Sequence, residues 1–147
     1  PLSLHDALPI CIVVPDLEQA LAFYEGLLGF SVARRMEEGG AWLSTVLGIA
    51  DIRATTIKMN VPGGGMVELL YFPDHPQGPR DLSLVSGGPT HIALTVADLD
   101  NLHQVMQQEG IHFVAAPNVS PDGKVKMAFC QAPDGTFVEL VEERSLT

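Results

Sequence analysis

Gly88 to Leu99, GPTHIALTVADL, and Phe137 to Val141, FVELV, are the two stretches whose reading decides the fold. In the first, His91, Ala93, Thr95 and Ala97 alternate with Ile92, Leu94 and Val96, the period-2 pattern of a half-buried strand. In the second, Val138 and Leu140 alternate with Phe137, Glu139 and Val141. Each strand therefore turns an apolar row to a core and leaves His91 or Glu139 on the other face. An imidazole and a carboxylate on one sheet face are chemistry suited to a metal or a small polar ligand.

Both stretches have an upstream echo. Pro9 to Leu17, PICIVVPDL, matches His91 to Leu99, HIALTVADL, with Asp16 and Asp98 in register. Met66 to Tyr71, MVELLY, matches Thr136 to Val141, TFVELV, with Glu68 opposite Glu139. The repeat predicts an α+β chain built from two copies of one unit, a strand, a helix and three further strands. Its modules span residues 9–72 and 90–143, joined by a linker at 73–89 that is dense in Pro and Gly. Where the second copy has His91, the first has Pro9.

Within the first copy, Ile10 to Val14 is rich in β-branched residues. Asp16 stands at an N-cap position before Leu17, Ala20, Leu21, Phe23, Tyr24 and Leu27, an apolar stripe at helical spacing that Gly29 ends. Phe30 to Arg35 reads as the next strand, and Trp42 to Leu47 as a short helix ended by Gly48. That helix has no counterpart of similar length in the second copy. Such an insertion commonly lines a pocket mouth, which makes Trp42 a candidate substrate contact as well as a packing residue. Ile52 to Met59 is read as a strand, and VPGGG at 61–65 as a hairpin connection rather than a phosphate loop, because the Lys-Ser/Thr that a phosphate loop requires is missing.

In the second copy Asp98 caps a helix with an inward stripe of Leu99, Leu102, Val105 and Met106, ended by Gly110, with His103 on the surface. Residues 111–115 read as a short strand, 118–123 as a loop, 126–130 as a strand and 132–135 as its turn. Glu142, Glu143 and Arg144 read as a charged tail.

A net charge of −10, from 8 Lys and Arg against 18 Asp and Glu, argues against nucleic acid or an anionic membrane as partner. At 147 residues the chain can build its own core, and a mean hydropathy of +0.21 is high enough to suggest a homodimer interface. Cys11 and Cys130 are too few for a disulfide framework and are expected as small buried hydrophobes in a reducing, cytoplasmic setting. No apolar run reaches membrane-spanning length, and the start lacks the blocks of a signal peptide. Residues 1–8, PLSLHDAL, fall outside the repeat and resemble a non-native extension of the kind found in metagenome-derived reading frames; a histidine native to position 9 would have been lost with it.

Residues 14–30, 66–72, 91–100 and 132–142 together resemble the vicinal oxygen chelate superfamily, which includes glyoxalase I, methylmalonyl-CoA epimerase, extradiol dioxygenases, fosfomycin-resistance enzymes and bleomycin-binding proteins. The resemblance implies that the two βαβββ modules form a concave, eight-stranded, mixed, glyoxalase-like sheet. It further implies a divalent metal (Zn, Ni, Co, Mn or Fe) held by His91, Glu139 and Glu68, with Pro9 in a fourth position that cannot ligate. Glu139 and Glu68 are then the candidate bases, and Trp42, Arg53 and Asn60 the candidate substrate contacts. The implied activity is that of a metal-dependent lyase or isomerase acting on a small substrate with vicinal oxygens. Two alternatives stay open, a metal-free small-molecule binding protein of the bleomycin-resistance type and an Fe(II) dioxygenase-like member.

Overall fold

The structure is a computed structural model that describes residues 9–145. The reading of residues 1–8 as a non-native extension lies outside the described residues. The chain divides into two compact units, one up to Pro79 and one from Arg80 onward.

The first unit runs β1 (Ile10–Val13), α1 (Leu17–Leu21), a π-helical turn (Ala22–Leu27), β2 (Ser31–Glu38), α2 (Gly40–Leu47), β3 (Ala54–Asn60) and β4 (Met66–Tyr71). The second runs β5 (His91–Thr95), α3 (Leu99–Gln108), β6 (Asn118–Val119), β7 (Val125–Gln131) and β8 (Phe137–Glu143). Each unit forms one four-stranded mixed sheet, ordered β1-β4-β3-β2 in the first and β5-β8-β7-β6 in the second. In both, the first strand lies parallel to the last and the remaining pairs are antiparallel. The duplicated sequence is thus a duplicated α+β topology.

The matching helices start and stop by the same chemistry. Asp16 Oδ1 accepts the Gln19 N–H at 2.9 Å, and Asp98 Oδ1 accepts the Asn101 N–H at 3.0 Å, each satisfying a helix-start donor that has no backbone partner. Gly29 (φ +74°) and Gly110 (φ +80°) take up the left-handed conformation that lets Phe30 N–H reach Tyr24 O and Ile111 N–H reach Met106 O. Each helix lies over the apolar face of its own sheet. Phe23, Tyr24, Met59 and Leu69 are buried in the first unit, and Leu99, Met106, Val138 and Leu140 in the second. A smaller cluster of Leu43, Ile52 and Ala54, with Phe72 against it, seats α2.

Several local expectations are corrected. The fourth strand of the second sheet is Asn118–Val119 rather than residues 111–115, where Phe113 makes one bridge to Cys130. Bends at Val114 and Ala115 break that ladder, and Pro117 has no N–H to extend it. Val105 is exposed, and the His103 ring packs edge-on against Phe113 at 4.5 Å instead of lying on the surface. Cys11 is exposed, unlike the buried Cys130. β8 extends through Glu143, so Glu142 is no free tail: its carboxylate accepts the Leu99 N–H at 2.7 Å and faces Lys126 at 3.8 Å. Arg80, within the linker at 73–89, is tied to the second unit: it donates its backbone N–H to Asp134 O and its guanidinium to Thr136 Oγ1, both at 2.9 Å.

The Cys130 thiol is pushed up to about 12 by burial. The fold therefore favours its protonated form, and that contribution to stability is present below pH 9 and lost as pH climbs from about 9 toward about 12. Because the thiolate is the nucleophile, iodoacetamide at pH 8 is expected to alkylate Cys11 at least ~100-fold faster than Cys130 in the native protein. Peptide mass analysis after timed quenching checks this, and equal rates would contradict the buried placement of Cys130.

Candidate metal and substrate site

In the second unit, β5 and β8 run parallel with His91 level with Phe137 and Ala93 level with Glu139. Glu139 therefore stands two residues further along the strand direction than His91, on the same face. The two side chains close that diagonal, with His91 Nε2 3.4 Å from Glu139 Oε2. The other ring nitrogen, Nδ1, is 2.9 Å from Thr90 Oγ1, and the Phe129 ring meets the imidazole edge-on at a centroid distance of 5.4 Å. The opposite face of β8 supplies Val138 and Leu140 to the core, so neither site side chain can turn inward without displacing packed apolar groups. His91 remains 38% exposed and Glu139 18%, enough for a small ligand to reach both.

In the first unit, Glu68 takes the place on β4 that Glu139 has on β8. It stands level with Cys11 on β1 and with Lys58 on β3. The Cys11 thiol donates to Glu68 Oε1 at 3.6 Å, and Lys58 Nζ lies 3.8 Å from Glu68 Oε2. Burial, then the neighbouring Glu68 carboxylate, hold the Cys11 thiol above its ordinary pKa. Cys11 is on the same side of its strand as Pro9, two residues earlier, and the thiol occupies ground near Glu68 where Pro9 has no donor to offer. Thr56, next but one to Lys58 on β3, is buried with its hydroxyl unpartnered.

The three candidate substrate contacts are placed differently. Trp42 is 72% exposed on α2. Arg53 is committed to a bidentate pair with Asp74, both contacts at 2.7 Å, which holds the Asp74 carboxyl below the usual carboxylate range. The Arg53 side of α2 borders a depression of about 500 Å³ that Ser44, Thr45 and Asp51 also line. Asn60 is exposed at the end of β3, one step along the face that carries Lys58.

Thr90, Phe129, Cys11 and Lys58 were not singled out from sequence. Lys58 has a legible signal: the hairpin closed by Val61 N–H to Gly65 O pairs Asn60 with Met66, and counting two residues back along each strand sets Lys58 against Glu68. Phe129 and Cys11 depend on register between strands far apart in the chain, and Thr90, next to His91 in sequence, on the rotamers of the two side chains.

One imidazole nitrogen and one carboxylate oxygen 3.4 Å apart make an N,O donor pair that suits a borderline or hard divalent cation. Among the described residues no group of three or more His, Cys, Asp or Glu side chains forms a ready metal-holding cluster. The second unit thus presents two donors on one open face, a partial coordination shell whose chemistry fits such an ion.

Known proteins bear on this arrangement at three levels. The chain is 29% identical over 136 residues to the uncharacterized protein YwkD of Bacillus subtilis, covering 91% of this chain and 94% of that one. It is 27% identical over 143 residues to a 2-epi-5-epi-valiolone epimerase of an Actinomyces species, covering 90% of this chain and 76% of the epimerase. The crystal structure of a glyoxalase family protein from Bacillus cereus superposes with a TM-score of 0.88 at 23% identity, over 97% of each chain, a likeness of fold. The family model described as Glyoxalase/Bleomycin resistance protein/Dioxygenase superfamily matches residues 7–140, a span that takes in both sheets together with His91, Glu139 and Glu68. The repeated βαβββ topology and this match across nearly the whole chain place the protein in the glyoxalase/bleomycin resistance protein/dioxygenase superfamily.

Proposed function

We propose that the protein is a metal-dependent lyase or isomerase of the glyoxalase type, moving a proton within a small substrate that carries two vicinal oxygens. The observation that carries this reading is the His91–Glu139 pair, an imidazole and a carboxylate brought to 3.4 Å on an accessible sheet face. The likeness to an epimerase supports proton transfer as the reaction class. In this reading His91 and Glu139 are protein ligands of a divalent cation of the Zn, Ni, Co, Mn or Fe group. Such a cation supplies Lewis acidity, drawing electron density from both substrate oxygens so that the adjoining C–H becomes acidic.

The chain's own residues do the rest. Glu139 takes the proton at a carboxylate oxygen and returns it to the neighbouring carbon on the same face, a general base turned general acid. Glu68 is the corresponding carboxylate of the first unit, but it already accepts the Cys11 thiol and faces Lys58, so Glu139 is assigned the base. Trp42, Val46 and Ile49 leave an exposed apolar surface along and just beyond α2, which supports a homodimer.

Elemental analysis of the purified protein, of Glu139→Ala and of Pro9→His tests the reading, with light scattering on the same samples for the dimer. The parent is expected to hold a divalent metal, Glu139→Ala to lose it, and Pro9→His to hold it more tightly, because position 9 repeats position 91. A metal-free parent together with a metal-free Pro9→His would sink the enzyme reading and leave a metal-free small-molecule binding protein.

A further inference from the structure

His91 has two ring nitrogens in unlike surroundings, and the difference assigns a role to its neighbour. Thr90 is 9% exposed, and its Oγ1 lies 2.9 Å from Nδ1, a full hydrogen-bond distance. Nε2 lies 3.4 Å from Glu139 Oε2, longer than a formed N–H···O bond. A neutral imidazole has one N–H and one lone pair, a hydroxyl can meet either, and a carboxylate can only accept. With the proton on Nδ1, the Thr90 hydroxyl accepts it and the Nε2 lone pair faces outward beside the Glu139 oxygen. Two electron-rich atoms then border one point of space, an arrangement a cation relieves. With the proton on Nε2, the short Nδ1 contact is kept but the N–H has to reach an oxygen at 3.4 Å.

Thr90 is itself anchored by the strand that carries the carboxylate, since the Phe137 N–H on β8 donates to Thr90 O at 3.2 Å. Pro89 fixes the backbone immediately before it. The Phe129 ring, edge-on to the imidazole, restrains rotation of the ring about its other axis. The imidazole and the carboxylate are therefore both referenced to β8, one directly and one through Thr90.

We propose that Thr90 is a positioning residue whose hydroxyl accepts the Nδ1 proton of His91, fixing the tautomer and ring plane that turn the Nε2 lone pair toward the Glu139 side. This deepens the metal reading and rests on it for its purpose; the tautomer itself can be read without any metal. Imidazoles that bind metals characteristically give their second N–H to a fixed acceptor, and loss of that acceptor typically weakens metal affinity 10–100-fold.

The test is histidine 15N NMR on the metal-free full chain at alkaline pH, where an ordinary imidazole is neutral. The His91 signals are assigned by their loss in His91→Gln. Parent protein is expected to show the Nδ1–H pattern, Thr90→Val to shift toward Nε2–H or a mixture, and Thr90→Ser to restore the parent pattern. Zn(II) titration of the same proteins is expected to show affinity about 10–100-fold lower in Thr90→Val and recovered in Thr90→Ser. An Nε2–H parent, or an unchanged pattern in Thr90→Val, overturns the proposal. If the tautomer responds as expected while no variant, parent included, binds Zn(II), the Thr90 assignment stands and the metal reading is what fails.

Discussion

Glu139→Gln is expected to lower turnover by about 10²–10⁴-fold, the usual worth of a positioned general base, while leaving the fold intact. Glutamine has nearly the same shape and exposes the same surface, and Glu139 is a half-buried residue whose carboxylate touches His91 rather than the core. What the amide cannot do is accept a proton at neutral pH. Exchange of the substrate C–H for C–D in heavy water, followed by NMR, reads that step directly. Dicarbonyl hemithioacetals and 2-hydroxy or 2-keto acids are the first substrates to try. Glu68→Gln, which removes the corresponding carboxylate of the first unit, is expected to leave exchange per metal-loaded site largely unchanged. Exchange unchanged in Glu139→Gln but abolished in Glu68→Gln would move the base to the first unit.

The second large effect falls on stability. Gly135→Ala is expected to cost on the order of 3 kcal/mol, from left-handed strain and overpacking together. Gly135 has φ +95°, and a Cβ there would sit 2.2 Å from Arg80 O and 2.8 Å from Arg80 N. Both are backbone atoms, so no side chain can swing away to make room. Arg80 is held in place by its N–H to Asp134 O and by its guanidinium to Thr136 Oγ1, while the Thr136 hydroxyl in turn donates to the buried Asp134 carboxylate. The substitution therefore disturbs the whole β7–β8 turn, from which β8 carries Glu139 into the sheet. Gly63→Ala is the control: φ is +85° there, but nothing lies within 4 Å of the added carbon, so a cost of about 1 kcal/mol is expected. Thermal unfolding of the three proteins measures the difference. At roughly 2–4 °C per kcal/mol, Gly135→Ala should melt several degrees below Gly63→Ala. Equal melting temperatures would mean that the Arg80 segment is not seated on this turn.

These two positions show how differently local and distant information is written in the chain. Alternation in HIALT and VELV, aspartates at matching N-caps and glycines at matching helix ends are local patterns, each enforced by a hydrogen bond or a solvent preference within a few residues. Their repetition determined the duplicated unit and put His91, Glu139 and Glu68 on the polar faces of their strands. A period of two leaves no other choice when the alternate residues, Val138 and Leu140, must be buried.

Contacts between strands far apart in sequence could not be reached this way. That Cys11 meets Glu68, that Arg80 clamps the turn at Asp134, and that Phe129 meets the His91 ring all depend on register and on rotamers set by packing, while the contact of the adjacent Thr90 with His91 is a matter of rotamer alone. Arg53 is a further case: its type suggested a substrate contact, and the tertiary structure adds a bidentate pair with Asp74 that no local pattern indicated. The sequence by itself determined the repeated topology and the strand faces on which His91, Glu139 and Glu68 stand, because short-range periodicity encodes which face a residue occupies. Only the tertiary structure decided which of those groups meet, at what distance and with which supporting side chains, because pairing across a sheet is chosen by the fit of the whole core rather than by any one stretch.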